Sequence, residues 1–397
     1  MNKIKIVWLC HFTNGEIQSQ LPLWKHFNEF ASWIPNTLKG FEPLDNIELH
    51  VVSPHAYLKK ATDLLIRNIH YHFIPYGIPF WRRPWPARFA FDIYTNYYCF
   101  RKRVKKTINC IQPDLINLIG TENAYYSSSI LDFENKYPIL VLIQGFISQM
   151  KGSIKAQKRM DIEERILTAF KYYAGDQDSS TYISSYNASH VFFKLYFPVN
   201  ETLVSATKDA GKKYDCIYFG RLEKIKGAED FIKVIAEIKE KKADVKACII
   251  GDGNVNALRE IASALKCSDN IEFTGFIKTQ KELFEYVKSS KVFLAPPYFE
   301  RISSTIREAM FLKVPIVAYS TGSIPYINEF DENIYLVKTG DYQGMARKTL
   351  FLLENETTRN NLAEKAYQYA IQEFSLKKNV ERVLSSYQTI IEDSKSK

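Results

Sequence analysis

Short apolar runs bounded by glycine, proline or polar residues alternate along this chain with longer stretches in which apolar residues recur every third or fourth position. The first pattern reads as buried strands, the second as helices laid against them. Strand runs fall at Ile4–Leu9, Ile47–Val52, His70–Ile74, Asp114–Ile119 and Ile139–Ile143. A cleaner set follows at Cys216–Phe219, Val245–Ile250, Asn270–Phe273, Val292–Ala295, Val314–Ala318 and Ile334–Val337. Helical spacing marks Leu21–Phe30, the stretch running to Lys106, Phe231–Ile238, Leu283–Ser289, Gly344–Glu354, Arg359–Phe374 and Lys377–Glu392. Strands alternating with helices predict parallel sheets covered on both faces. A chain of 397 residues exceeds one ordinary core, so two domains are expected. The polar stretch Glu201–Lys213 is where they divide, giving 1–207, 208–375 and a terminal segment 376–397.

In open α/β sheets the ligand crevice lies beyond the carboxyl ends of the strands, so the residues there are the candidates. The first strand ends in Cys10-His-Phe-Thr-Asn14-Gly15, where Gly15 permits close backbone approach. His11 reads as a structural histidine. Later ends carry Gly120-Thr-Glu122 and Gln144-Gly145. In the second half the ends are Gly220-Arg221 with Lys226-Gly227 after it, Gly251-Asp-Gly253, and Gly275 followed by Phe276 and Ile277. Arg221 can fork onto phosphate oxygens and Lys226 adds a point charge. After Val292–Ala295 come Glu300, then Ser303, Ser304 and Thr305 as possible helix caps, then Glu308 inside the helix. A helix start of this kind offers free N–H groups to phosphate. Each motif alone fits an ordinary turn or solvated carboxylate; their order carries the information.

Composition adds a net charge of +9, with the excess mostly before residue 211. That favours an anionic partner. Trp81, Trp85, Phe89, Tyr97 and Phe100 lie among Arg82, Arg83, Arg88, Arg101, Arg103, Lys105 and Lys106. Segment 80–106 therefore suits a membrane interface, single-stranded nucleic acid, or a core stripe with a solvated basic face. The six cysteines are scattered without metal-ligand spacing and read as reduced thiols in a cytosol. The first apolar run is too short for a signal-peptide core, and no run approaches the ~20 residues of a membrane span. Asp176-Gln-Asp178 reads as a polar loop with no metal role.

The ordered set strand-G-R-x4-K-G, strand-G-D-G, I-x-F-x-G, then P-P-x-x-E-x7-E and V-P-I-V-A, from about Tyr214 onward, resembles glycosyltransferase family 4. These are retaining enzymes of the GT-B fold, with two doubly wound Rossmann-like α/β domains facing a cleft. The resemblance implies that Arg221 and Lys226 bind a donor diphosphate, Glu300 the donor sugar and Glu308 the ribose. It implies that Ile302, Ser303, Ser304 and Thr305 present backbone amides, and that Phe276 and Ile277 meet the base. Gly15, Gly220, Gly251 and Gly253 complete the donor-side set, with Arg221, Lys226 and Glu300 at the reacting centre. The implied donor is a nucleoside-diphosphate sugar, with no metal or further cofactor required. Asn14, Glu122 and Gln144 are the acceptor-side candidates. The implied acceptor is a glycan or lipid-linked glycan at the cytoplasmic membrane face, in polysaccharide assembly, with peripheral contact through 80–106. The sequence departs from the family pattern at Arg301-Ile302-Ser303, where Gly-Phe-Gly is common, and at Gln144, where many members place a histidine. Two other classes stay open: a non-catalytic nucleotide- or partner-binding protein of this fold, which the first departure favours, and a nucleic-acid-binding protein, which the charge favours.

Overall fold

The computed structural model describes residues 3–21, 33–55, 58, 60–75, 91–147, 154–209, 211–300 and 303–396, without the side chains of residues 16, 91, 154 and 155. It divides into two compact units: Met1–Phe197 with Asn379–Lys397, and Pro198–Lys378. The boundary expected at 207/208 falls inside the second unit. Glu201–Ala206, polar as it is, forms a helix there with Asn200 as its N-cap, so the break comes ahead of it. The chain returns to the first unit at Asn379, partway along the helix Leu376–Lys395.

The first unit holds β1 (Ile4–Leu9), β2 (Ile47–His55), β3 (Thr62–Ile66), β4 (Ile69–Pro75), β5 (Leu115–Ile119), β6 (Ile139–Leu142), β7 (Tyr172–Gly175) and β8 (Val191–Lys194). Their order across the sheet is β3-β4-β2-β1-β5-β6-β7-β8. All pairings are parallel except β3 with β4. The order reverses between β1 and β5, which puts the crevice at the carboxyl ends of those strands. The core gathers Val7, Leu9, Val104, Ile108, Leu118, Phe133 and Ile166. β3, β7 and β8 are short, and nothing in the apolar pattern announced them.

The second unit holds β9 (Tyr214–Phe219), β10 (Ala247–Ile250), β11 (Ile271–Gly275), β12 (Ser290–Ala295), β13 (Ile316–Tyr319) and β14 (Tyr335–Val337). Here the order is β11-β10-β9-β12-β13-β14, and the reversal lies between β9 and β12. Phe231, Val234, Ile235 and Ile238, at the spacing that predicts a helix, line one face of Ala228–Lys239 and pack on Ile249, Val292, Leu294 and Val317. Full burial of each such side chain is worth about 1.5–3 kcal/mol. The expected parallel α/β architecture is found in both units.

A further expectation changes. Asp176-Gln-Asp178 is no loop: Asp176 follows β7 directly and caps the helix Gln177–Ser184, its Oδ1 accepting from the Ser179 N–H at 2.9 Å and Oγ at 2.8 Å. Within the aromatic and basic segment, residues 80–90 lie outside the described residues, as do those of the helix expected at Leu21–Phe30 except its first. The described part forms the helix Tyr98–Ile111, with Phe100, Val104 and Ile108 buried. Arg101 pairs with Asp132 at 2.6 Å and Arg103 donates to the Pro75 carbonyl, while Lys102, Lys105 and Lys106 are exposed. This part of the stripe is core with a solvated basic face. No helix among the described residues is long and apolar enough to cross a membrane.

The terminal helix is held to the first unit by polar contacts. The Trp8 Nε1–H and the Asn117 Nδ2–H each donate to the buried Tyr387 hydroxyl at 2.7 Å. The Tyr196 N–H donates to Asn379 Oδ1 at 3.2 Å, and Lys171 pairs with Asp393. Tyr387→Phe strands two buried donors, each costing about 1–3 kcal/mol. Urea denaturation should show a loss in that range or above; an unchanged midpoint would contradict this role for the hydroxyl.

Candidate functional site

The second unit carries a cavity of about 340 Å³ at its switch point, lined by Gly220, Arg221, Lys226, Glu300, Ser303, Ser304 and Thr305 together with Tyr218, Phe219, Phe293, Ala295, Pro297 and Ile306. The site has three walls. One is the loop after β9, another the chain leaving β12, and the last the start of the helix Ser304–Phe311.

The loop is shaped by close backbone approach. A Cβ on Gly251 would lie 1.8 Å from the Gly220 carbonyl oxygen, and one on Gly253 would lie 2.8 Å from the Leu222 Cβ. Gly227 sits at φ +78°, and its Cβ would lie 1.8 Å from the Pro296 carbonyl oxygen. So Gly251 and Gly253 do not line the cavity; they let the neighbouring loop lie flat on β10's end. The Tyr218 hydroxyl donates to the Arg221 carbonyl at 2.8 Å. The Tyr298 N–H donates to the Ile225 carbonyl at 2.9 Å. These contacts fix the backbone on either side of Arg221 and Lys226.

Lys226 Nζ meets Glu300 Oε2 at 2.6 Å, and both side chains are mostly buried. Arg221 is exposed and pairs with Glu223 at 2.9 Å. Ser303 is the helix N-cap, accepting from the Ile306 N–H, and its hydroxyl meets the Thr305 hydroxyl at 2.7 Å. The N–H groups of Ser304 and Thr305 precede the first intrahelical bond, Arg307 N–H to the Ser303 carbonyl. Two cations and a helix start therefore surround one cavity, an arrangement with the chemistry to hold an anion and with a carboxylate on its rim.

Glu308 lies further along the helix and is held by Gln280, whose Nε2 donates to Oε1 at 3.0 Å. Burial pushes its carboxyl up to about 7, against the pull of Gln280 and Arg307. Gln280 had no signature in the sequence; it starts a helix, Gln280–Lys288, that only the fold brings beside Glu308. Phe276 is exposed and Ile277 half-buried after β11, outside the cavity lining. Ile302 and Arg301 lie outside the described residues. Buried Asp230 accepts from Tyr298, Tyr319 and Lys233 at 2.7–2.8 Å. Burial opposes its charge, yet these bonds hold its carboxyl below the usual range. They tie the chain after β12 to β13.

The candidates of the first unit collect at its own switch point. Asn14 is used as a helix cap, its Oδ1 accepting from the Ile17 N–H at 2.8 Å, with Gly15 the first helical residue. Gly120 has φ +87°, and the place of its missing Cβ lies 2.6 Å from the Tyr126 hydroxyl, 2.8 Å from Gln144 Nε2 and 2.9 Å from Glu122 Oε2. That glycine brings Glu122 and Gln144 together. Glu122 Oε2 is buried without a hydrogen-bond partner among the described residues. Burial pushes its carboxyl up to about 7, and nearby Glu163 adds to the rise. His11 bonds to the Tyr125 hydroxyl, and burial and His55 lower its pKa to about 3.

Residues 200–369 match the protein-family model described as "Glycosyl transferases group 1". The chain is 27% identical over 214 residues to a 2-deoxystreptamine N-acetyl-D-glucosaminyltransferase of Niallia circulans, covering 53% of this chain and 52% of that protein. It is 25% identical over 181 residues to the capsular polysaccharide biosynthesis glycosyltransferase CapM of Staphylococcus aureus, covering 45% and 47%. The chain thus spans about half the length of these curated relatives. Among solved structures it is similar to Anabaena Alr3699/HepE in complex with UDP, with a TM-score of 0.69 and 16% identity over 98% of this chain and 100% of that one. That likeness is one of fold, and the fold is GT-B, with two Rossmann-like parallel-sheet domains.

A carboxyl with a raised folded pKa is protonated more readily in the native state, so stability falls as pH rises from the unfolded value through the folded one. For Glu308 that window runs from 4.5 to about 7. Glu308→Gln should remove part of the stability lost between about pH 5 and about pH 7.5, read from urea midpoints. An identical pH slope in the variant would contradict the burial of this carboxyl.

Proposed function

We propose that the protein is a retaining glycosyltransferase that moves a sugar from a nucleoside diphosphate to a hydroxyl of a glycan or lipid-linked glycan. The observation that carries this reading is the cavity in which Arg221, Lys226, Glu300 and the helix start at Ser303–Thr305 converge. The match of residues 200–369 to a glycosyltransferase family model supports it. So does the fold shared with a structure that holds UDP, which makes UDP the first nucleotide to test. The match to a capsular polysaccharide biosynthesis enzyme supports a role in cell-surface polysaccharide assembly.

In this reading the diphosphate lies on Arg221, Lys226 and the N–H groups of Ser304 and Thr305. Glu300 receives donor-sugar hydroxyls, and Glu308 the ribose. The acceptor oxygen attacks the anomeric carbon on the face from which the diphosphate departs. The bond from that carbon to the phosphate oxygen breaks, the bond to the acceptor oxygen forms, and the acceptor proton passes to the departing phosphate. Configuration is retained and no protein base is consumed. Negative charge grows on the diphosphate, and preorganised cations and amides stabilise it without a divalent metal at this site. Acceptor groups meet Glu122 and Gln144 in the first unit, whose exposed lysines suit an anionic membrane face.

Incubation with UDP-, GDP- and ADP-sugars and chromatography of the released nucleotide tests this. One donor series should be consumed, and Lys226→Ala or Arg221→Ala should lower turnover by about 10²–10³-fold. Glu300→Gln should lose turnover while still binding the nucleotide, because Lys226 is then released from its carboxylate. Donor consumption by none of the series, or variants as active as the wild type, would remove the proposal.

A further inference from the structure

The sheet of the first unit carries a second cluster of chemistry that glycosyl transfer does not use. β2 and β4 pair in parallel with His50 opposite His70, and Glu48 precedes His50 by two residues. Side chains two apart on a strand share a face, so Glu48, His50, His70 and His72 stand together. β3 adds Asp63 opposite His72. One ligand atom each from Glu48, His50 and His70 lies within 4.8 Å of the other two. His50 is buried; Glu48 and His70 are half-buried.

The hydrogen-bond accounting of this cluster does not close with neutral imidazoles. Glu48 Oε1 is 2.9 Å from His50 Nε2, His50 Nδ1 is 3.0 Å from His72 Nε2, and His72 Nδ1 is 2.7 Å from Asp63 Oδ1. The chain starts and ends on carboxylates, which only accept when ionised. Three contacts need three hydrogens, and two neutral imidazoles bring two. One positive charge has to be supplied. A further proton supplies it by making an imidazolium of His72, between His50 and Asp63, or of buried His50, which stacks on His70 at 4.6 Å. A metal ion between Glu48 and His50 supplies it as well, and it engages His70, whose ring nitrogens have no hydrogen-bond partner among the described residues.

We propose that Glu48, His50 and His70 bind a divalent transition-metal ion, for which zinc suits a donor set of two imidazoles and one carboxylate. The His50 Nδ1–H then donates to His72 Nε2, and the His72 Nδ1–H donates to Asp63. Every contact carries one hydrogen, and the ligand is oriented by a partner behind it. With zinc bonds of about 2.0–2.2 Å the donor atoms must stand roughly 3.3 Å apart, so the Glu48–His50 contact opens by a few tenths of an ångström. Lys5 Nζ, 3.7 Å from Glu48 Oε1, is the group that competes; its side chain is 42% exposed and has room to withdraw. The ion would clip β2 to β4 near the edge of the sheet. The sequence signal is a ligand at every second residue, Glu48-Leu-His50 and His70-Tyr-His72, a strand spacing rather than the loop or helix spacing of common zinc motifs.

The test uses the full chain without a histidine tag, stripped with a chelator and dialysed, then titrated with zinc against a chromogenic competitor. One equivalent should bind and raise the melting temperature. His50→Ala and His70→Ala should lose binding, and His72→Gln or Asp63→Asn, acting through His50, should weaken it by about 10–100-fold. His190→Ala, outside the cluster, should leave it unchanged. If His50→Ala does not fold, Glu48→Gln and His70→Gln at the half-buried positions carry the test. Cobalt spectra separate this site from the exposed Cys99 and Cys110, because thiolate ligation adds a near-ultraviolet charge-transfer band. No zinc bound by the wild type, binding indifferent to the histidine variants, or a thiolate band would each overturn the proposal.

Discussion

Gly227 lies so close to the Pro296 carbonyl that no side chain fits between them. That contact sets the second unit's site. It lets the loop after β9 rest on the chain leaving β12, and the Tyr298 N–H to Ile225 carbonyl bond closes the same seam. Lys226 and Glu300, far apart in sequence, then meet at 2.6 Å. Gly251 does the same on the other side, where the Gly220 backbone lies against it. Small residues here are spent on bringing backbones together, and the charges follow.

The consequence is electrostatic preorganisation. Arg221 and Lys226 stand on a loop whose carbonyls are bonded, and Ser303 holds the first turn of its helix open toward the same cavity. Without an anion the nearest balance for Lys226 is Glu300, so a phosphate entering the cavity competes with that pair. In the proposed reading an anion would exchange one partner of the lysine for another, which avoids burying an unpaired cation. Buried Asp230 ties the chain after β12 to β13 through Tyr298 and Tyr319 and also accepts from Lys233.

Much of this was legible in the residues. β9, β10, β12 and β13 each contain a short continuous apolar run, and the glycine, arginine, lysine and glutamates at their ends sit where such sheets place ligands. Ser303 was one of the capping candidates and is the cap. What escaped depends on contacts distant in sequence or on short elements. β7 and β8 are four residues each, so Asp176 looked like a loop residue when it caps a helix. Gln280 reaches Glu308 only through the fold. The histidines of β2 and β4 form a cluster because the two strands are neighbours, and strand order is not written in either strand.

The central claim is that the cavity at Arg221, Lys226 and the Ser303 cap is a diphosphate site. Calorimetric titration with UDP and with uridine, on wild type and Lys226→Ala, tests it most directly. Hydrogen bonds to charged groups contribute about 1.5–3 kcal/mol each. The account predicts that UDP binds at least tenfold (about 1.4 kcal/mol) more tightly than uridine and that Lys226→Ala erases most of this difference without weakening uridine. Equal affinities for UDP and uridine, or a difference that survives Lys226→Ala, would contradict it.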